Sequence, residues 1–223
     1  MSLRFYFHPL SSFCQKVLIA FYENDTPFEP LIVNLGDPNT AAAFKKIWPI
    51  GKFPVLRDEA RGQTIPESSI IIEYLSLHYP GPISLVPDDA DAARQTRLAD
   101  RFYDLHVQVP MQKIVGDRLR PPASDDAFGV EQAKGQLATA LGIVEQDMAT
   151  KTWAMGEAFS MADCAAGPAL YFANLVMPFR DTYRSTAAYL GRLMDRPSFA
   201  RAVREAAPYR QLFPTQRKLE PGR

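Results

Sequence analysis

The sequence predicts a mixed α/β unit over residues 1–80, a short linker at 81–89, and an all-helical unit over residues 90–223. Three observations carry that reading. The first eighty residues offer strand, helix and strand, then a hairpin and a helix, a βαβ unit followed by ββα. Pro80-Gly81-Pro82 and Val86-Pro87-Asp88-Asp89 interrupt the pattern. Beyond residue 90 the apolar residues step at helical spacing and no convincing strand signal remains.

Taken in order, Leu3-Arg4-Phe5-Tyr6-Phe7-His8 is aromatic-rich and stopped by Pro9, which suits a short buried strand. The spacing of Phe13, Val17, Ala20 and Phe21 predicts a helix ending near Asn24-Asp25. Residues 30–35 supply a second strand, parallel to the first through a right-handed crossover. Residues 39–48 are poorly patterned and predict no more than a short irregular helix. Residues 55–58 and 63–65 form a hairpin around Ala60-Arg61-Gly62, and a helix runs from Ser68 to about Tyr79. In the second unit Leu98, Phe102, Leu105 and Val109 share one helical face, which Pro110 is expected to kink or interrupt. Val130, Ala133, Leu137, Leu141 and Val144 mark the next helix, and others run over about 161–176, 182–194 and 198–206. Ser160 and Asp163 have the spacing of a capping box, with Phe159 and Cys164 as its hydrophobic staple; losing such a cap costs about 1 kcal/mol.

Composition narrows the function classes. At 223 residues the chain can bury a sizeable core, and 47% hydrophobic with 22% charged residues is ordinary for a globular protein. Twenty-five basic and 25 acidic residues leave a formal net charge of zero, so nothing favours nucleic acid or an anionic membrane as partner. Two distant cysteines, Cys14 and Cys164, are too few for a disulfide framework and suit a reducing compartment. No apolar run approaches the roughly 20 residues that span a bilayer, and no signal-peptide stretch follows the first methionine. A cytoplasmic location is therefore the default expectation. Neither a zinc-ligand spacing, a P-loop nor a dinucleotide fingerprint is present in the sequence, and no metal is expected.

The chemistry-bearing residues cluster around Gly51-Lys52-Phe53-Pro54-Val55-Leu56 and Pro66-Glu67-Ser68-Ser69. Pro54 cannot donate a ladder hydrogen bond, so it belongs where a strand begins. A cis Phe53–Pro54 bond would turn the preceding peptide outward, its N–H and C=O free to meet an extended peptide. Ser68 and the first free N–H groups of the following helix suit an anion, and Glu67 beside them suits a cation. A proline before a strand also fits a plain turn, and a serine before a helix a simple cap. In combination the groups fit one end of a small zwitterionic peptide.

These residues resemble the glutathione site of the cytosolic glutathione S-transferase superfamily, of the serine-type, theta/zeta-like bacterial style. Phe159-Ser160-Met161-Ala162-Asp163 independently resembles the cap of the core helix in that family's C-terminal domain. The resemblance spans essentially the whole chain. It implies a thioredoxin-like N-terminal domain, a helical C-terminal domain, glutathione as co-substrate, a homodimer, and transfer of the glutathione thiol to a small hydrophobic electrophile in detoxification. By position it implies that Ser11, or else Ser12, carries the hydroxyl that activates the thiol. Cys14 stands one place off the cysteine of the cysteine-using classes and reads as inert core, and Ser12 also suits the helix cap. Lys52 is expected on the peptide's terminal carboxylate, with Phe53, Pro54, Glu67 and Ser68 completing that site. Phe53 replaces the small aliphatic residue usual there and should narrow the neighbouring pocket. His8 reads as a structural group. The electrophile is expected between the proline loop and the first long helix of the second unit, against Leu10, Tyr103, His106 and Met111. Two rivals stand beside the transferase. One is a zeta-like glutathione-dependent cis–trans isomerase of the maleylacetoacetate type, although the expected Ser-Ser-Cys run reads Ser11-Ser12-Phe13-Cys14. The other is a non-catalytic interaction module on the same fold.

Overall fold

The computed structural model describes residues 2–121 and 123–214. A four-stranded sheet is built from β1 (Leu3–Phe7), β2 (Glu29–Ile32), β3 (Val55–Asp58) and β4 (Gln63–Pro66) in the order β2-β1-β3-β4. β1 pairs parallel with β2 and antiparallel with β3, and β3 pairs antiparallel with β4. Alternation along β1 sends Leu3, Phe5 and Phe7 inward, so one face of the strand is buried. The second strand is shorter than the sequence suggests, although the Val33 N–H still donates to the Phe7 carbonyl at 2.8 Å.

Three helices belong to this first half: α1 (Ser12–Glu23), α2 (Pro38–Ile47) and α3 (Ser68–His78). Residues 38–47 are a regular helix rather than an irregular one. Asp37 caps it by accepting from Thr40 N at 3.0 Å, and Pro38 occupies its first turn. It buries only Phe44, which is why the sequence shows no apolar stripe there. The 81–89 segment is anchored at two points: the Asn24 side chain bonds both the N–H and the carbonyl of Ile83 at 2.8 and 3.1 Å, and Leu85 is buried.

The second half is built from helices, with no named strand among its described residues and a single isolated β-bridge between Trp153 and Gly156. α4 (Ala90–Phe102), capped by Asp89, runs through a π-helical turn at Tyr103–Gln108 into α5 (Val109–Arg118). Pro110 therefore does not break the rod. A wide turn immediately before it, closed by Val109 N–H donating to the Asp104 carbonyl, makes room for a residue that lacks an N–H and crowds the preceding turn. α6 (Ala127–Met148), α7 (Met161–Val176), α8 (Arg184–Asp195) and α9 (Pro197–Ala206) follow, the last running into a 3₁₀ turn at Ala207–Leu212.

α7 is the central helix, buried along most of its length. Its capping box is present: Asp163 Oδ2 accepts from the Ser160 N–H at 2.9 Å, and Ser160 Oγ accepts from Ala162 N at 3.3 Å. Asp163 Oδ1 also accepts from Ala154 N at 2.8 Å and from the Tyr189 hydroxyl at 2.5 Å, joining the cap to α8. Small residues let α7 approach its neighbours closely. A Cβ on Gly167 would stand 3.3 Å from the Phe199 ring of α9. α1 packs against α7 and α9, so the helix that follows β1 is enclosed by both halves.

Candidate active site

Lys52, Phe53, Pro54, Glu67 and Ser68 are brought together on the wall of one cavity of about 510 Å³. The opposite wall comes from α4, the π-helical turn and the start of α5, through Arg97, Asp100, Arg101, Asp104, Leu105 and Val109. Gly51 makes the turn into the loop with φ +68°, a left-handed conformation that a side chain disfavours, and its N–H donates to the Trp48 carbonyl at 2.9 Å. The Phe53–Pro54 bond is cis. Outside helices and strands, no backbone hydrogen bond among the described residues engages Phe53.

At the far end of the hairpin Glu67 holds φ +72°, outside the helical region, and is the N-cap of α3. It makes no side-chain capping bond, and α3 carries no acidic residue in its first turn. Ser68 is thus the first helical residue rather than the cap, and the first N–H groups of α3 open on the cavity without a side-chain acceptor.

Between the halves lies a buried charge cluster. Lys16 Nζ stands 2.7 Å from Asp100 Oδ1 and 2.8 Å from Asp104 Oδ2, and donates to Ser69 Oγ at 2.8 Å. Ser69 Oγ donates in turn to Asp100 Oδ2 at 2.6 Å. Burial pushes the Asp100 carboxyl above its ordinary range against the pull of Lys16, and Asp104 adds to the rise. Ser69, Asp100 and Asp104 face the cavity, so this cluster forms its floor.

The loop from β1 to α1 adjoins the proline loop through His8, whose ring stacks on Phe53 at 6.2 Å and meets Tyr209 edge-on at 5.0 Å. His8 Nδ1 accepts from Leu10 N at 3.2 Å, and burial lowers its pKa. Ser11, not Ser12, is the N-cap of α1. Its Oγ accepts from Cys14 N at 3.4 Å, and its side chain remains half-buried. Ser12 is buried and accepts a hydrogen bond from Gln108 Nε2 of the helical half. Neither serine lines the cavity; Phe13 is the residue of this turn that does. Cys14 is fully buried, and burial pushes its thiol up to about 12.

Residues 5–83 match the model of the glutathione S-transferase N-terminal domain, and residues 127–200 that of the glutathione S-transferase C-terminal domain. The chain belongs to the glutathione S-transferase superfamily. It is 28% identical to FtsZ-localized protein A of Caulobacter vibrioides over 201 residues, 86% of each chain. It is 28% identical to the maleylacetoacetate isomerase of Pseudomonas aeruginosa over 216 residues, 95% of this chain and 97% of the relative. The glutathione S-transferase of Methylobacillus flagellatus, solved with GSH bound, superposes with a TM-score of 0.82 at 26% identity, covering 90% of this chain and 98% of that one.

Not every residue expected at the site lines this cavity. Tyr103 and Met111 are buried in the helical core, Tyr103 beside Tyr189, and neither faces the cavity. His106 is exposed with its ring 5.4 Å from Phe102, and Leu10 lines a separate small cleft with Gln15 and Tyr171. The cause is the rotation of the rod. Its buried face carries Asp100, Asp104 and Gln108, because Lys16 and Ser12 of α1 receive them. The stripe of Leu98, Leu105 and Val109 is turned outward, Leu98 to 65% exposure. Leu105 and Val109 hold the cavity wall that Tyr103 and Met111 were expected to hold. Sequence reasoning also missed Lys16, Ser69, Asp100 and Asp104. The available signal was a lysine on the stripe of Phe13, Val17 and Ala20, with two aspartates one helical turn apart downstream.

Proposed function

We propose that this chain is a glutathione transferase that binds glutathione in the cavity between the proline loop and α4 and transfers its thiol to a small hydrophobic electrophile. The observation that carries the reading is the convergence of Lys52, Phe53, Pro54, Glu67 and Ser68 on one cavity beside an α3 N-terminus free of any side-chain cap. In this reading Ser68 and the α3 N–H groups take the γ-glutamyl carboxylate, Glu67 takes its ammonium, Phe53 pairs with the cysteinyl main chain, and Lys52 takes the terminal carboxylate. The thiol then lies toward the start of α1. A free thiol titrates near 8.5, so a thiolate at neutral pH needs roughly 2–3 kcal/mol of preferential stabilisation. Ser11 can donate to sulfur while still accepting from Cys14 N, and a hydrogen bond to a charged partner contributes about 1.5–3 kcal/mol. The N-terminus of α1, with no acidic residue in its first turn, adds about 0.3–1 kcal/mol. These contributions suffice for a thiolate that attacks the electrophile, forming the S–C bond as the leaving group departs or the ring opens.

Leu105 and Val109 give the cavity an apolar wall for that electrophile. The outward-facing Leu77 and Leu98 are the surface on which a second copy would pack, making the active species a homodimer. No helix among the described residues is long and apolar enough to cross a membrane.

The isomerase reading keeps its place because the relative named maleylacetoacetate isomerase aligns over nearly its full length. Assays against aryl halides, epoxides, peroxides and maleyl compounds separate the readings. Conjugation that falls roughly tenfold to a hundredfold in Ser11→Ala supports the transferase. Turnover of a maleyl compound without net glutathione consumption supports the isomerase. Full conjugation in both Ser11→Ala and Ser12→Ala would refute the role given to these hydroxyls, and absence of any glutathione binding would leave the docking module.

A further inference from the structure

Two helical turns face each other across the domain boundary, four residues apart on each side. Ser12 and Lys16 lie on α1, and Asp104 and Gln108 on the π-helical turn. They meet in two rungs: Gln108 Nε2 donates to Ser12 Oγ, and Lys16 Nζ donates to Asp104 Oδ2 at 2.8 Å. The second rung joins the charge cluster beneath the cavity. The first ends on the residue next to Ser11. Gln108 is 2% exposed, and its Oε1 has no hydrogen-bond partner among the described residues. A buried, unsatisfied amide oxygen is a cost to stability that an apolar side chain of similar shape would not carry, so stability alone gives no reason for an amide here. What the amide does supply is the N–H on Ser12.

We propose that Gln108 is a positioning residue for the glutathione thiolate, acting through Ser12 to hold the first turn of α1. This rests on the transferase reading above. Ser12 is the first residue of α1, so pinning its hydroxyl fixes the backbone of the Ser11 cap and the direction of the adjacent N–H groups. Ser11 Oγ accepts from Cys14 N at a long 3.4 Å and its hydroxyl also bonds toward the Cys14 thiol, both within the first turn of α1, so whatever fixes that turn fixes the direction of the hydroxyl. The charged groups around the two rungs are Lys16, Asp100 and Asp104, with Arg101 3.6 Å from Asp104 at the rim. The Ser12 rung itself is neutral, so altering it changes orientation and not charge.

The test uses Gln108→Leu, Ser12→Ala and the double variant. The melting temperature of Gln108→Leu should stay close to that of the unaltered protein. The thiol pKa of bound glutathione, read from the pH dependence of its ultraviolet thiolate absorbance, should rise by about one unit. The value of kcat/KM below that pKa should fall about tenfold, while KM for glutathione moves less than about twofold. Amide exchange at Cys14 and Gln15, measured without glutathione, should quicken in the variant. The double variant should be no worse than either single one, because both remove the same rung. An unchanged thiol pKa with unchanged exchange would overturn the inference and leave the transferase reading intact, and so would independent, additive effects of the two substitutions. Unaltered protein that binds no glutathione would overturn both.

Discussion

Lys16→Met is the most informative single perturbation of this fold. The substitution keeps the length of the side chain and removes a fully buried ammonium from two carboxylates at 2.7 and 2.8 Å. Breaking a buried ion pair by deleting one partner typically costs about 3–5 kcal/mol, because a charge is left without compensation. That is a large share of the roughly 5–15 kcal/mol that holds a domain together, and for a chain of this size it lowers Tm by roughly 6–20 °C. The loss should depend on pH. Asp100 is already raised by burial and by the neighbouring Asp104, and without Lys16 it loses the cation that pulls it down, so its folded pKa lies further above the unfolded value near 3.9. The folded state then binds more protons than the unfolded one, and stability falls as pH rises through that window. Urea unfolding of the variant at about pH 5 should therefore show a smaller deficit than at about pH 8. Adding Asp100→Asn and Asp104→Asn to Lys16→Met should restore most of the loss. A deficit under about 1 kcal/mol, the same at both pH values, would refute the electrostatic account of this interface.

Asp58 has the opposite sign. Burial pushes its carboxyl up, but the Tyr79 and Tyr74 hydroxyls at 2.6 and 2.7 Å, with the N–H groups of Arg61 and Ala60, outweigh burial and hold it below its ordinary value. Its contribution is present above the unfolded pKa and is lost as pH falls through the folded one. Asp58→Asn should thus cost about 1–3 kcal/mol at neutral pH and flatten the acid limb of the stability curve; an acid limb as steep as before would contradict the assignment. Cys14 and Cys164 are both fully buried, and burial raises both thiols, Cys14 to about 12. Alkylating reagents should modify neither in the native protein and both after unfolding, and rapid native labelling of Cys14 would show that the start of α1 is not packed as described.

The order of elements is legible in the sequence because most carry local punctuation. Pro9, Pro54 and Gly62 bound the first strands, Asp89 caps α4, and the Ser160–Asp163 box opens α7. α2 has only its start marked, by Asp37 and Pro38, since a helix that buries only Phe44 has no apolar stripe to read. Lys52, Phe53, Pro54, Glu67 and Ser68 were readable as one group because loop geometry is local: a proline loop and a helix start are visible within a few positions. The opposing wall was not. Which face of α4 turns inward is decided by Lys16 and Ser12, nearly ninety or more positions earlier, and their polar partners reverse what the apolar residues alone predict. The same reversal took Tyr103 and Met111 into the core and left Leu98 outside.

Calorimetric titration of glutathione into the unaltered protein, Lys52→Ala and Glu67→Ala tests the central claim most directly. Saturable binding at one site per chain, weakened about tenfold by either substitution, is the predicted result. No heat of binding, or an affinity that neither substitution changes, would contradict it.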